Sequence, residues 1–131
     1  MQDNTEAMNL NGIKILVAED DAYSALIAQE MLSFWNATVD LVENGKDAVD
    51  KVRENTYDIV LMDLQMPVLD GFQAMSQIRT FNTTVPIVVL TATADTAMEQ
   101  LPVDTGLSGY LIKPYSPPEL YNAVIKYATK R

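Results

Sequence analysis

The 131-residue chain contains no cysteine and no histidine. Without cysteine there is no disulfide framework, no thiolate nucleophile and no cysteine-held metal. Without histidine there is no imidazole acid–base catalysis, no histidine metal ligand and no phosphohistidine made on this chain. Positive charge is scarce as well: nine Lys and Arg against eighteen Asp and Glu leave a formal charge of −9. That balance argues against a grip on nucleic acid or an anionic membrane, both of which need clustered basic residues. No apolar run approaches the roughly 20 residues that span a bilayer. The polar start, Met1 to Asn11, has no signal-peptide core. Absent cysteine fits a reducing compartment, and the expectation is a cytoplasmic domain without membrane contact.

What is present is enough for one ordinary core. Hydrophobic residues make up 48% and charged residues 21%, the balance of a single soluble globular domain at this length. The expected division is a flexible lead-in or linker over residues 1–11 and one domain over 12–131, without internal repeat or low-complexity tract.

The patterning alternates between two periods. Ile13 to Val17, Thr38 to Val42, Ile59 to Met62, Ile87 to Leu90 and Tyr110 to Ile112 read as strands. Most are short continuous apolar runs, as a parallel sheet buried on both faces requires. Val39 and Leu41 are expected as the core face of the second strand. Between the strands lie helical stretches. The first, about Ala22 to Trp35, carries Tyr23, Leu26, Ile27, Met31 and Phe34 at spacings of three and four, expected to face inward. The second follows Glu43-Asn44-Gly45 and carries Ala48, Val49 and Val52. The third begins at Gly71 with Phe72, Met75 and Ile78 inward. A closing helix over Glu119 to Tyr127 follows Pro117-Pro118, residues suited to a helix start, and presents Leu120, Val124 and Tyr127. A fourth helix is expected near Ala94, Ala97, Met98 and Leu101. Pro102 costs ~3 kcal/mol inside a helix, so that helix should stop near Gln100. The whole reads as an α/β domain of five βα units around a parallel sheet.

Four clusters stand at the ends of four of these runs: Glu19-Asp20, Asp63, Thr91 and Lys113. In open parallel sheets ligands bind beyond the carboxyl ends of the strands. Each cluster alone has a plain reading: Glu19-Asp20-Asp21 as a solvated helix cap, Asp63 as a turn former, Thr91 as a β-branched strand residue, Lys113 as a loop cation. Together they would gather three carboxylates, a hydroxyl and an ammonium on one rim. Acids that hold a hard cation, beside groups suited to phosphoryl oxygens, point to phosphoryl chemistry on a carboxylate.

The same residues carry a resemblance. Ile15-Leu16-Val17-Ala18-Glu19-Asp20-Asp21, the segment Asp58 to Gly71, Leu90-Thr91-Ala92 and Tyr110-Leu111-Ile112-Lys113-Pro114 occur in that order. All four resemble the signature blocks of the receiver domains of two-component response regulators, over about Ile13 to Tyr127. The resemblance implies a doubly wound, flavodoxin-like five-stranded parallel sheet of order 2-1-3-4-5, with helices on both faces. It implies that Asp63 is the phosphoacceptor. It implies Mg²⁺ (or Mn²⁺) held by Glu19, Asp20, Asp63 and the backbone carbonyl of Gln65. Thr91 and the Ala92 amide would bind phosphoryl oxygens, and Lys113 would pair with the phosphoryl group or with Asp63. Thr91 and Tyr110 would form the switch, and the Lys113-Pro114 bond would be cis.

The implied partner is a histidine kinase or a histidine phosphotransfer protein, with no nucleic acid through this domain and a monomer or weak dimer as assembly. As a free-standing receiver the domain would accept a phosphoryl group and lose it slowly to water without being an enzyme in its own right; within a hybrid kinase it would belong to a protein with histidine kinase activity. Gln65 and Thr93 occupy positions that tune that loss, and both are uncharged. Pro102 departs from the family by breaking the fourth helix, which leaves the signalling face open. The expectation is a free-standing regulator or, more in keeping with an Asn-rich start, the receiver of a hybrid histidine kinase. Two rival classes differ in sequence. An aspartate-nucleophile phosphatase of small phosphate esters places a second Asp where this chain has Gln65. A flavin-binding domain needs a Gly/Ser/Thr-rich loop where this chain has Glu19-Asp20-Asp21.

Overall fold

The computed structural model describes residues 8–92 and 107–128. Its elements are β1 (Lys14–Ala18), α1 (Ala22–Phe34), β2 (Thr38–Val42), α2 (Gly45–Glu54), β3 (Ile59–Asp63), α3 (Gly71–Arg79), β4 (Ile87–Thr91), β5 (Gly109–Ile112) and α4 (Pro117–Tyr127). The five strands form one parallel sheet in the order β2-β1-β3-β4-β5. Every residue of β3 and β4 is buried, the consequence of their unbroken apolar runs.

Strand alternation divides the core in two. Leu16, Val60, Met62 and Ile87 point to the face covered by α2 and α3, where they meet Ala48, Val49, Val52, Met75 and Ile78. Ile15, Val17, Leu61, Val88 and Leu90 point to the other face, against Ala28, Leu32, Leu120 and Val124 of α1 and α4. Each helix is started by a side chain that satisfies otherwise orphaned N–H groups. Asp21 accepts from the Ser24 N–H at 2.9 Å, and Asn44 from the Asp47 N–H at 2.8 Å. Asp70 with Gln73, and Ser116 with Glu119, form reciprocal capping boxes.

Helix α1 does not bury the stripe expected of it. Its sheet-facing residues are Ala25, Ala28 and Leu32. Tyr23 (73% exposed), Leu26 (49%), Ile27 (38%) and Phe34 (77%) face outward, and Met31 is only partly buried. This helix is apolar around most of its circumference, so two stripes satisfy the helical period; the smaller side chains take the sheet and let the helix approach closely. Leu41 is likewise 37% exposed rather than inward, on the edge strand β2.

Leu10, in the expected lead-in, is fully buried. Its N–H donates to the Trp35 carbonyl at 2.6 Å, and the Asn9 N–H donates to the Tyr121 hydroxyl at 3.2 Å. The expected fourth helix near Ala94 to Leu101, with Thr93 and Pro102, lies outside the described residues. No helix among the described residues is long and apolar enough to cross a membrane.

Candidate functional site

Four strands deliver the site to one rim. β1 ends at Ala18, and the next residue, Glu19, keeps strand geometry by donating its N–H to the Val42 carbonyl at 3.0 Å. β3 ends on Asp63 itself, in register with Leu90 of β4. β4 ends on Thr91, whose carbonyl accepts the Lys113 N–H at 2.7 Å just past β5. The sheet's parallel register therefore lines Glu19, Asp63, Thr91 and Lys113 along its carboxyl edge.

Glu19, Asp63 and Thr91 are buried polar side chains, at 3%, 8% and 9% exposure. Burying carboxylates costs several kcal/mol unless they are paired. Lys113 supplies the pairing: its Nζ lies 2.7 Å from Glu19 Oε1 and 3.3 Å from Asp63 Oδ2. Two backbone N–H groups add to it, from Asp21 to Glu19 Oε2 and from Gln65 to Asp63 Oδ1, each at 3.2 Å. Burial and a hydrogen bond shared with Asp63 push the Glu19 carboxyl up to about 7, against the opposing pull of Lys113. Burial works to lower the Lys113 ammonium, but Glu19 and Asp63 outweigh it and hold the ammonium above its usual range.

Asp20 is exposed at the mouth, and one carboxylate oxygen each from Glu19, Asp20 and Asp63 lie within 4.8 Å of one another. Three hard oxygen donors at that spacing, partly open to solvent, suit a Mg²⁺ that keeps several waters. They do not suit a softer ion that needs nitrogen or sulfur. The plain reading of the acidic turn holds for Asp21 alone. It caps α1, and donation from Ser24 holds its carboxyl below the usual range.

The remaining expected residues are more exposed than Glu19 and Asp63. Ala92 is exposed, directly after Thr91. Gln65 is exposed in the loop after β3. The Lys113-Pro114 bond is cis. Tyr110 pairs in register with Val89 and is 44% exposed on the edge strand, so it flanks the cluster rather than joining it.

Two contributors left little sign in the sequence. Tyr115 is partly buried beside the ion pair, and burial pushes its hydroxyl up; an aromatic after Lys113-Pro114 was its only signal. Gly71 opens α3 against the end of β3, where a Cβ would collide with the Asp63 carbonyl oxygen and Leu64 Cα. Its bare backbone lets α3 start directly beneath the site.

The comparisons with known proteins agree with this geometry. The chain is 41% identical over 104 residues to the transcriptional regulatory protein ZraR of Klebsiella oxytoca, covering 78% of this chain and 23% of that protein. It thus spans only about a quarter of such a relative. Among solved structures it is similar to the receiver domain of the sensor histidine kinase PA1611 of Pseudomonas aeruginosa PAO1, described with a magnesium ion in its active-site cleft. That match has a TM-score of 0.82 at 34% identity and covers 88% of this chain and 97% of that one. It is also similar to the receiver domain of Ssk1 of Saccharomyces cerevisiae, solved with the histidine phosphotransfer protein Ypd1. Here the TM-score is 0.82 at 29% identity, with 88% of each chain covered. The model of the response regulator receiver domain matches residues 15–125; the chain belongs to that family.

Proposed function

We propose that this domain is a phosphorylation-controlled switch that takes a phosphoryl group onto Asp63 from a phosphohistidine of a histidine kinase or histidine phosphotransfer protein. The observation that carries the reading is the buried Glu19–Lys113–Asp63 arrangement with Asp20 at its mouth. An Asp63 carboxylate oxygen forms the bond to phosphorus while the donor's P–N bond breaks, its electron pair returning to the imidazole. Lys113 is placed to offset the negative charge that this attack concentrates. Water later forms the new P–O bond, releasing inorganic phosphate and restoring the Asp63 carboxylate. Glu19, Asp20, Asp63 and the Gln65 carbonyl would hold Mg²⁺, which supplies the divalent charge that phosphoryl transfer between anions needs. Thr91 and the Ala92 amide would receive phosphoryl oxygens, with Tyr110 answering the movement of Thr91.

The donor must bring phosphorus within bonding distance of Asp63, so it must lean on the surface beside this rim. Exposed Tyr23 and Ile27 in the first half of α1 offer that surface. A groove of about 390 Å³ continues it between Tyr23, Ser24, Ile27 and Pro114-Tyr115, with Lys113 at its wall. A cytoplasmic setting, as part of a larger regulator or of a hybrid histidine kinase, belongs to the same reading.

The test is transfer itself. Incubation with Mg²⁺ and a radiolabelled phosphohistidine protein should move label to this chain in a stoichiometric, acid-labile form. Release of many phosphates per chain from a small phosphate ester would instead support the phosphatase.

A further inference from the structure

We propose that Gly45, outside the carboxylate cluster, is a positioning residue for the loop that follows Asp63; the inference rests on the Mg²⁺ reading above. The loop over residues 64–70 joins Asp63 to α3 and carries Gln65, whose carbonyl would face the metal. Its shape is set at several points. The Gly71 N–H donates to the Leu64 carbonyl at 2.9 Å, closing the loop. The Leu69 N–H donates to the Pro67 carbonyl at 2.7 Å, a three-residue γ-turn. Val68 at its centre holds φ at 70°, a left-handed conformation that a β-branched residue keeps only when its surroundings impose it. The Leu69 side chain packs on the core shared by α2 and α3.

The last constraint comes from another element. Gly45, the first residue of α2, is buried, and a Cβ there would collide with the Leu69 carbonyl oxygen and approach its carbonyl carbon to 2.8 Å. Gly45 does not hold a positive φ, so conformation does not require glycine there. Space does. The bare backbone of residue 45 is the seat on which the Leu69 carbonyl rests, and the seat can yield only by displacing the loop or the start of α2. Asn44 pins that start through the Asp47 N–H at 2.8 Å, so the loop is the part free to move. Displacing it swings the Gln65 carbonyl, and with it the Gln65 N–H that meets Asp63 Oδ1, while leaving the side chains of Glu19 and Asp20 in place.

The experiment compares Mg²⁺ affinity, by calorimetry and amide shifts, in wild type, Gly45→Ala and Ala48→Gly. Ala48 is fully buried in the same helix, so its variant weakens α2 without adding an atom near Leu69. Gly45→Ala should bind Mg²⁺ about tenfold more weakly, the scale on which lost supporting contacts act at metal sites. The Leu69 and Gly71 amides should exchange faster in the metal-free protein. Ala48→Gly should lower the melting temperature with unchanged Mg²⁺ affinity. Equal affinity in Gly45→Ala and wild type, or an equal loss in Ala48→Gly, overturns the inference. A wild type that binds no Mg²⁺ overturns the metal reading instead. Should Gly45→Ala not fold, Leu69→Ala decides: it frees the loop from the core, and retained affinity in that variant overturns the role of the seat.

Discussion

Lys113 Nζ sits 2.7 Å from Glu19 Oε1 and 3.3 Å from Asp63 Oδ2, nearer the buried glutamate than the proposed nucleophile. The lysine therefore neutralises the site at rest without fully occupying the Asp63 oxygens. It is also a competitor for any cation that Glu19 helps to bind.

Replacing Asp63 by Asn keeps the side chain's size and removes its charge. Asp63→Asn should take up no acid-labile phosphate from a small phosphodonor with Mg²⁺. Its melting temperature should not fall, since Glu19 keeps its pairing with Lys113 and loses an anionic neighbour. Intact mass and a thermal melt check both; an undiminished mass gain would move the nucleophile elsewhere.

The raised Glu19 carboxyl gives two pH dependences of opposite sense. Its ordinary value is 4.5 and its folded value about 7, so between those values the folded protein binds the proton better than the unfolded chain. Without metal, this group's stabilising contribution is complete below about 4.5 and lost as pH rises through about 7. Metal binding runs the other way, because the ligand must shed its proton. Mg²⁺ affinity should rise from pH 6 to pH 8, with proton release near pH 6 approaching about one per ion. Glu19→Gln should flatten the metal-free stability profile over this range. Calorimetry in two buffers of different ionisation enthalpy measures the protons, and a pH-independent affinity would refute the assignment.

Lys113→Met separates the lysine's two roles. Loss of the cation should slow phosphorylation on the order of 10²-fold, the scale of removing one preorganised charge-stabilising group. Mg²⁺ affinity at pH 8 should hold or improve, since the competitor for Glu19 is gone. Phosphorylation kinetics at saturating Mg²⁺ resolve the two, and weaker metal binding in the variant would argue against competition.

The switch proposal requires contacts that differ between two states. A beryllofluoride mimic on Asp63 should draw the Thr91 hydroxyl inward and let Tyr110, now 44% exposed, pack against the space it leaves. Amide exchange at residues 109–113 should slow on adding the mimic. Equal protection with and without it would show that phosphorylation is not signalled through this strand.

Much of this was legible because the parallel sheet turns sequence position into location. Four apolar runs ending in Glu19-Asp20, Asp63, Thr91 and Lys113 had to end on one rim, and the strand order follows the family resemblance. Helix facing was less legible. In α1 the period of 3.6 fits the stripe through Tyr23, Ile27 and Phe34 as well as the one through Ala25, Ala28 and Leu32, and bulk alone favours the wrong one. Distance in sequence hid other contributors. Nothing near Gly45 announces the Leu69 carbonyl, and nothing near Leu10 announces Trp35, because both contacts exist only once separate elements are packed.

Leu10 gives the last prediction, on stability rather than chemistry. It is fully buried with Ile13, Leu32, Trp35 and Val124 in the core face under α1 and α4. Trp35 stands edge-on to Tyr121, ring centroids 5.3 Å apart, and the Asn9 N–H reaches the same tyrosine. Leu10→Ala should cost about 2–5 kcal/mol, the range for truncating a buried leucine whose site cannot collapse. Trp35, the only tryptophan and 5% exposed, reports the transition by fluorescence in urea. Leu10 precedes β1 and the carboxylates follow the strands, so it lies at the opposite end of the sheet from the site. Mg²⁺ affinity of the folded variant should therefore match wild type. A loss of under about 1 kcal/mol, well below that range, would mean that the segment before Gly12 rests on the domain without holding it together.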